Sequence, residues 1–427
     1  MPPKKINVVH LPEDVLRYIS TFIDLNKFCT TSKSLSNGEL KKDIVYFFLR
    51  GPDALRFYKE EDFRIYVYSR VTNPNKQISL DLSDCDEVSD VSALGNVHRL
   101  NLTRCSRIRD VSALGNVHDL NLTSCLGVTD VSALGNVHTL NLRDCRAIDV
   151  SALGNVHTLD LSHCRITDMS ALGNVHTLNL TDCRELIDVS ALGNVHTLDL
   201  TRCYGVTDVS ALSHVHTLIL FGCTNIIDVS ALGGVHTLIL SLCFGITNVS
   251  ALGNVHNLDL DGCFGVTDVS ALVNVYRLNI HGSSNITDVS ALRNVHDLNL
   301  SSCSRVYDVS ALGKVNTLNL NRCFRVRDVS ALGDVYDLNL NGCSGITDVS
   351  ALTNVYRLNL SYCSGITDVS ALEKVHTLNL SCCSRVRDVS ALGRVHNLDL
   401  TRCHGLTGVS ALSNVHILNL AGCTYSS

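Results

Sequence analysis

Three kinds of side chain able to do chemistry recur as columns through this 427-residue chain. His98 has counterparts at His118, His138, His157, His176, His196, His216, His236, His256, His296, His376, His396 and His416, with Tyr276, Asn316, Tyr336 and Tyr356 filling the gaps. All of the 19 cysteines but Cys29 and Cys382 occupy a second repeat position, where Ser283 stands once. Asn101 and its equivalents through Asn419 form a third column, shared by Asp81, Asp160, Asp199, Asp259 and Asp399. A column of imidazoles suggests metal binding or proton transfer. Zinc, however, needs three or four ligands converging on one point. A linear stack spaced about 5 Å apart, the separation of neighbouring strands, does not converge. Paired carboxylates can do acid–base work, but these are spread along the chain with the repeat, and a catalytic site is one place. No phosphate-cradling loop is present, nor any Ser/His/Asp or Cys/His set outside the columns. The expectation is a protein that is not an enzyme, with no cofactor and no metal residues.

The elements that position these columns follow from the period. From about Ile78 onward the chain repeats every 20 residues, slipping to 19 between Cys145 and Cys164 and between Cys164 and Cys183. Within one unit Val91, Ala93, Leu94, Val97, Leu100, Leu102, Cys105 and Ile108 are apolar, and the same offsets stay apolar elsewhere. The alternation Leu100-Asn-Leu102 marks a half-buried strand. One such strand cannot cover its own apolar face, so copies must stack side by side around a continuous core. Twenty residues leave little room for an outer α-helix. A short 3-10 turn is therefore expected at Val-Ser-Ala-Leu, capped by the preceding aspartate, as at Asp348 and Asp368. Eighteen such strands at about 4.8 Å apart would span about 85 Å as one parallel sheet. The first is expected at Ser79–Ser83, and the last, Ile417–Leu420, with an open edge. The cysteine column reads as a buried ladder of reduced thiols.

The pattern Leu-x-Leu-x-x-Cys resembles the leucine-rich repeat. Ile-Thr-Asp-Val-Ser-Ala-Leu, as at 346–352, is similar to the short internalin-type unit, and the cysteine variant to the class often found with F-boxes. The resemblance implies an α/β solenoid: a horseshoe with one long parallel concave β-sheet and short 3-10 turns on the convex side. Ahead of it, Leu11-Pro12 precedes helically spaced Val15, Leu16, Ile19, Phe22 and Ile23, with further helices expected around Leu25–Ser34 and Leu40–Leu49. With Phe28, this segment resembles an F-box. It departs from that pattern at Ser32–Gly38, where an aromatic closing pair would stand; a plain helical cap is the other reading. The organisation expected is a helical domain over 1–50, a connecting cap over 51–77 and the solenoid over 78–427. In the connector, Phe57, Tyr58, Phe63, Tyr66 and Tyr68 are expected to pack onto the first coil.

Net charge is only −6, so neither nucleic acid nor membrane is expected as a partner. The N-terminus lacks the apolar core of a secretory signal. The longest apolar run, Ile44–Leu49, is six residues, far short of a membrane span. A cytoplasmic or nuclear location is expected. In so uniform an array, specificity should lie where units break pattern. Ile219 and Ile239 replace the polar Asn/Asp position, Phe221 follows, and Leu242 stands in the neighbouring coil. These four are expected to form an apolar patch rimmed by Asp259 and Asp261, a partner site on the concave wall. Arg305, Arg322, Arg325, Arg327, Arg385, Arg387 and Arg402 form a late basic cluster, expected to be a solvated face. The F-box resemblance implies that Leu11, Pro12, Val15, Leu16 and Ile19 dock a Skp1-like adaptor. The protein would then be a substrate-recognition subunit of a cullin–RING ubiquitin ligase, with a protein substrate on the sheet. The alternative is a repeat scaffold whose N-terminal helices only cap it.

Overall fold

The computed structural model describes residues 46–70, 77–145 and 148–425. The expected F-box helices and the adaptor-binding residues Leu11 to Ile19 lie outside them. The chain forms two compact units, residues 1–157 and 158–427.

In the first unit, strand β1 (Tyr46–Arg50) leads into helices α1 (Pro52–Lys59) and α2 (Glu61–Arg70), then strand β2 (Gln77–Asp81). β1 pairs with β2 in parallel, Tyr46 opposite Gln77 and Arg50 opposite Asp81. The third helix expected around Leu40–Leu49 is thus a strand over the part described. A short apolar run satisfies a buried strand as readily as a helix, and here the neighbouring repeat strand supplies the hydrogen bonds. β2 also lies two residues earlier than the expected Ser79–Ser83. Pro52 sits in the first turn of α1, where its missing N–H costs nothing, with Asp53 beside it at the positive end of the helix dipole. Ala54 and Phe57 face inward. The Arg64 guanidinium donates to the Phe57 and Tyr58 carbonyls at 3.0 and 2.6 Å and so ties α2 to the last turn of α1. Of the connector aromatics, Phe57 is buried and meets Tyr68 edge-on at 5.6 Å, whereas Tyr66 is 54% exposed.

After the five-residue β2 the repeat strands follow, each of three residues, in strict register: Leu100 opposite Leu120, Leu238 opposite Leu258. Among the described residues the first unit holds five parallel strands of this kind and the second fourteen. Setting β1 aside, eighteen repeat strands remain, the number expected from the period. The chain is a leucine-rich-repeat solenoid. The strand leucines point inward with the following leucine and the cysteine, all essentially inaccessible, as at Leu298, Leu300 and Cys303. Each such leucine contributes about 1.5–3 kcal/mol of burial, and every coil supplies several. Between strands, Val-Ser-Ala-Leu forms the expected 3-10 turn, for instance Ser310–Leu312. The aspartate before it accepts from the serine N–H: Ser350 N to Asp348 Oδ1 at 2.8 Å, Ser370 N to Asp368 Oδ1 at 2.9 Å. These hydrogen bonds hold the Asp348 and Asp368 carboxyls below the usual carboxylate range.

Among the described residues the cysteines are free thiols, and all but Cys382 form a ladder inside the coil. Most rungs donate S–H to the carbonyl of the second strand leucine, or of Ile280, in the preceding coil, as Cys323 Sγ does to Leu300 O at 3.1 Å. Burial pushes the Cys125 and Cys303 thiols up to about 12, far from the reactive range. The strand Ile417–Asn419 pairs with Asn397–Asp399, and Ile417 is 57% exposed.

Candidate functional site: the outward face of the parallel sheet

Each three-residue strand buries its middle leucine and turns the first and third side chains outward. The third position carries the Asn/Asp column. Its amide or carboxylate oxygen accepts the backbone N–H two residues on: Thr181 N to Asn179 Oδ1 at 2.9 Å, Asp261 N to Asp259 Oδ1 at 2.8 Å. This Asx bond holds the turn that lets the chain leave the strand. The turn carries a left-handed residue in nearly every coil, including the non-glycines Arg104, Leu242 and Tyr362. Asparagines also bond along the column: Asn299 Nδ2 donates to Asn279 Oδ1 at 2.9 Å, and Asn279 Nδ2 to Asp259 Oδ2 at 3.1 Å.

Ile219 and Ile239 stand where that bond is made elsewhere, and they are direct Cα partners on adjacent strands. Neither can accept a hydrogen bond. Phe221 lies two residues past Ile219, on the same side of the chain, and is half-buried. Leu242 is placed differently. It occupies the left-handed turn position, φ 62°, in line with Gly222 and Gly262. Its Cδ2 lies 2.7 Å from where a Cβ on Gly262 would stand, so it leans onto the following coil. The structure thus brings Ile219 and Ile239 together, with Phe221 beyond them, and sets Leu242 a turn apart.

Past Ile239 the sheet opens into a groove of about 470 Å³ whose lining includes Ile239, Asp259, Arg277, Asn279, Asp297 and Asn319. Asp261, at its edge, lies 2.7 Å from His281 Nδ1. Arg277 Nε meets Asp297 Oδ2 at 2.8 Å, and His296 Nδ1 lies 2.9 Å from Asp297 Oδ1. A second groove, in the first unit, has the same construction: Arg99 Nε lies 2.6 Å from Asp119 Oδ2, and His118 Nδ1 lies 2.7 Å from Asp119 Oδ1. These Arg–Asp–His trios stand on the grooves' polar side. The His and Asp are adjacent in sequence, but the Arg stands 20 residues before the Asp, so only the register reveals the trio.

The histidine column borders this face as runs of stacked rings, broken at Asn316. His98, His118 and His138 have ring centroids 4.5 Å apart; His216 and His236 lie 4.6 Å apart; Tyr336 and Tyr356 continue the pattern at 4.8 Å. Burial, then the neighbouring imidazoles, lower the proton affinity of His98, His196 and His396. Among the described residues His98, His118 and Asp119 hold ligand atoms within 4.8 Å of one another. Both Asp119 oxygens are already engaged, by His118 and Arg99, so the set is a hydrogen-bonded network with no carboxylate oxygen to spare.

No protein-family model matches this sequence, and no curated protein does. Solved structures do. A leucine-rich-repeat protein of Leptospira interrogans is 15% identical over 79% of this chain and 93% of its own, with a TM-score of 0.51. The functional domain of InlJ from Listeria monocytogenes, described as including a cysteine ladder, is 20% identical over 75% of this chain and 72% of its own, with a TM-score of 0.48. The likeness to the Leptospira protein places the chain in the same fold. No helix among the described residues is long and apolar enough to cross a membrane.

Proposed function

We propose that the chain is a non-enzymatic binding scaffold that holds a protein partner on the outward face of its parallel sheet, centred on Ile219 and Ile239. The carrying observation is the break in the Asx column. Of its 18 positions, only these two adjacent ones give up the hydrogen-bonding side chain for large apolar groups. Phe221 extends the apolar surface, and Asp259 and Asp261 border it with negative charge. Buried apolar anchors surrounded by polar groups are the usual source of affinity at protein interfaces.

The test restores the repeat. Ile219→Asn with Ile239→Asn reinstates residues that the same position carries throughout the array, so the variant should fold at least as well as the parent. Proteins crosslinked to residues 217–261 of the full chain are compared by quantitative mass spectrometry. The expected result is selective loss of the partner with an unchanged melting temperature; an unchanged set of crosslinked proteins contradicts the reading.

A finer reading makes this scaffold the substrate-recognition subunit of a cullin–RING ubiquitin ligase. It rests on the F-box resemblance of residues 10–28, with Leu11, Pro12, Val15, Leu16 and Ile19 as the adaptor contacts. Mixing the full chain with a Skp1-type protein separates the two. Stable complex formation, abolished by Leu11→Ala with Pro12→Ala, supports the adaptor role; no complex with the parent chain leaves the scaffold alone.

A further inference from the structure

A second surface in unit 158–427 is distinct from the sheet face and carries a different chemistry. It is the ridge of turns between each strand and the next 3-10 turn. In the eleven coils from 202–207 to 402–407, these six-residue turns hold eight arginines and no carboxylate. The earlier coils mix charges there, with Asp84, Asp86, Glu87, Asp182 and Glu185. A chain of net charge −6 therefore keeps these eleven turns free of acidic groups.

The ridge is densest at two neighbouring coils, with Arg305 and Tyr307 on one and Arg322, Phe324, Arg325 and Arg327 on the next. All four arginines are exposed, and none has a carboxylate partner within 4 Å among the described residues. Tyr307 is 58% and Phe324 54% exposed, and the Arg325 guanidinium stands 5.9 Å from the Tyr307 ring. Burial does not explain these rings, because no apolar neighbour covers most of their area. The coil beyond contributes Gly342 and Gly345, where a Cβ would come within 3.5 Å of Arg322 Cγ and 3.2 Å of Arg327 Cγ, so glycine there makes room for the two arginine stems. Asp308 and Asp328 follow at the next position, each with one oxygen tied to a serine N–H at 2.9 Å, and they bound the strip along one edge.

We propose that this strip binds single-stranded nucleic acid. Guanidinium groups without carboxylate partners match phosphates. Exposed aromatic rings set among them match bases, whose faces stack on such rings without sequence preference. An acidic peptide would use the arginines but not the rings. Seen as arginines alone, the cluster reads as an ordinary solvated face; Tyr307 and Phe324, interleaved by the coil register, distinguish it.

The test uses the full chain and a fluorescein-labelled 12-nucleotide oligo-dT, by anisotropy at 50 and 200 mM salt. One variant carries Arg305→Asn, Arg322→Gly, Arg325→Gly and Arg327→Thr, all residues found at the same positions in neighbouring coils, so folding is retained. A second carries Tyr307→Thr and Phe324→Ser, chosen on the same basis. The parent should bind, and its affinity should fall steeply with salt. The arginine variant should lose at least about tenfold and flatten the salt slope. The aromatic variant should lose roughly 5- to 150-fold per ring for the oligonucleotide, but nothing for poly-glutamate. No binding by the parent at 50 mM salt overturns the proposal. So does binding that ignores the aromatic variant, or equal, ring-independent binding of poly-glutamate, which would identify the strip as an acidic-polypeptide site.

Discussion

Ser283 offers the sharpest test of what holds the coils together. It fills the one rung of the thiol ladder that lacks a cysteine, is fully buried, and its hydroxyl has no hydrogen-bond partner. The rungs on either side are satisfied: Cys263 Sγ donates to Leu240 O at 3.1 Å and Cys303 Sγ to Ile280 O at 3.2 Å. The carbonyl equivalent for rung 283 is that of Leu260, which the shorter Ser side chain does not reach. A buried polar group left unpaired costs about 1–3 kcal/mol. Ser283→Cys replaces the stranded hydroxyl with a larger, weakly polar group able to donate to Leu260. It should stabilise the array by about 1–2 kcal/mol, allowing for some strain as the coil accepts a larger atom. The reciprocal change, Cys323→Ser, removes the 3.1 Å bond to Leu300 and leaves a hydroxyl buried. It should destabilise by about 1–3 kcal/mol. With a urea slope of about 3 kcal/mol/M, these become opposite midpoint shifts of a few tenths of a molar to about 1 M. Each coil contacts mainly its neighbours, so amide exchange near Ile280 and Leu300 should report the changes more strongly than distant coils do. Ser283→Ala should fall between parent and Ser283→Cys, because it removes the unpaired group without filling the rung. Shifts of the same sign for Ser283→Cys and Cys323→Ser, or no shift in either, would refute the account of the ladder.

Two further outcomes follow from the ladders. In the native chain at pH 8, a thiol reagent should label Cys85, Cys382 and Cys423, which are partly accessible, while the fifteen buried cysteines among the described residues react only on unfolding. Mass-spectrometric mapping checks this, and rapid native labelling of Cys323 or Cys363 would contradict it. Stability should also fall on mild acidification. The lowered proton affinities of His98, His196 and His396 mean that the unfolded chain takes up protons first. The contribution is therefore complete above about pH 6.5 and is lost as pH falls through the lowered folded values. Urea midpoints should decline between pH 7 and 5.5 and partly recover in 1 M salt, which screens repulsion within the stack. A flat midpoint removes the stack from the argument. The aspartate caps, whose affinities are also lowered, titrate below this window and do not confuse the reading.

The repeat made most of the solenoid legible because each apolar position is stated eighteen times over. Leu100, Leu102 and Cys105 need only their spacing to be assigned inward, and twenty residues cannot enclose anything larger than a 3-10 turn. Where the chain is not repetitive, this redundancy is gone. Tyr46–Arg50 reads equally as the end of a helix until β2 is seen beside it, because only the neighbouring strand decides which hydrogen bonds an apolar run makes. The left-handed turn after each strand was also illegible. No glycine marks it consistently: Asp84, Arg104, Leu242 and Tyr362 all occupy it. At Asp84, Arg104 and Tyr362 the Asp or Asn three residues earlier, accepting from the next backbone N–H but one, holds the geometry instead; at Leu242 the turn forms after Ile239 without that bond.

That observation changes how the sheet face must be read. A position that looks like free polar decoration in the sequence is a structural hydrogen-bond acceptor, so most of its residues are not available for selection on binding. The two isoleucines are therefore a costlier departure than an ordinary surface substitution, and neutral drift should remove them more readily than keep them. The same logic runs the other way on the turn ridge. There Gly, Ser, Asn, Thr and Arg interchange; Asn225, Asn285 and Arg387 bond to nearby carbonyls, but no such bond among the described residues holds Arg305, Arg322, Arg325 or Arg327, so the fold imposes no reason for arginines to gather around Tyr307 and Phe324. Where packing leaves composition free, a one-signed and aromatic composition has to be explained by what approaches from solvent.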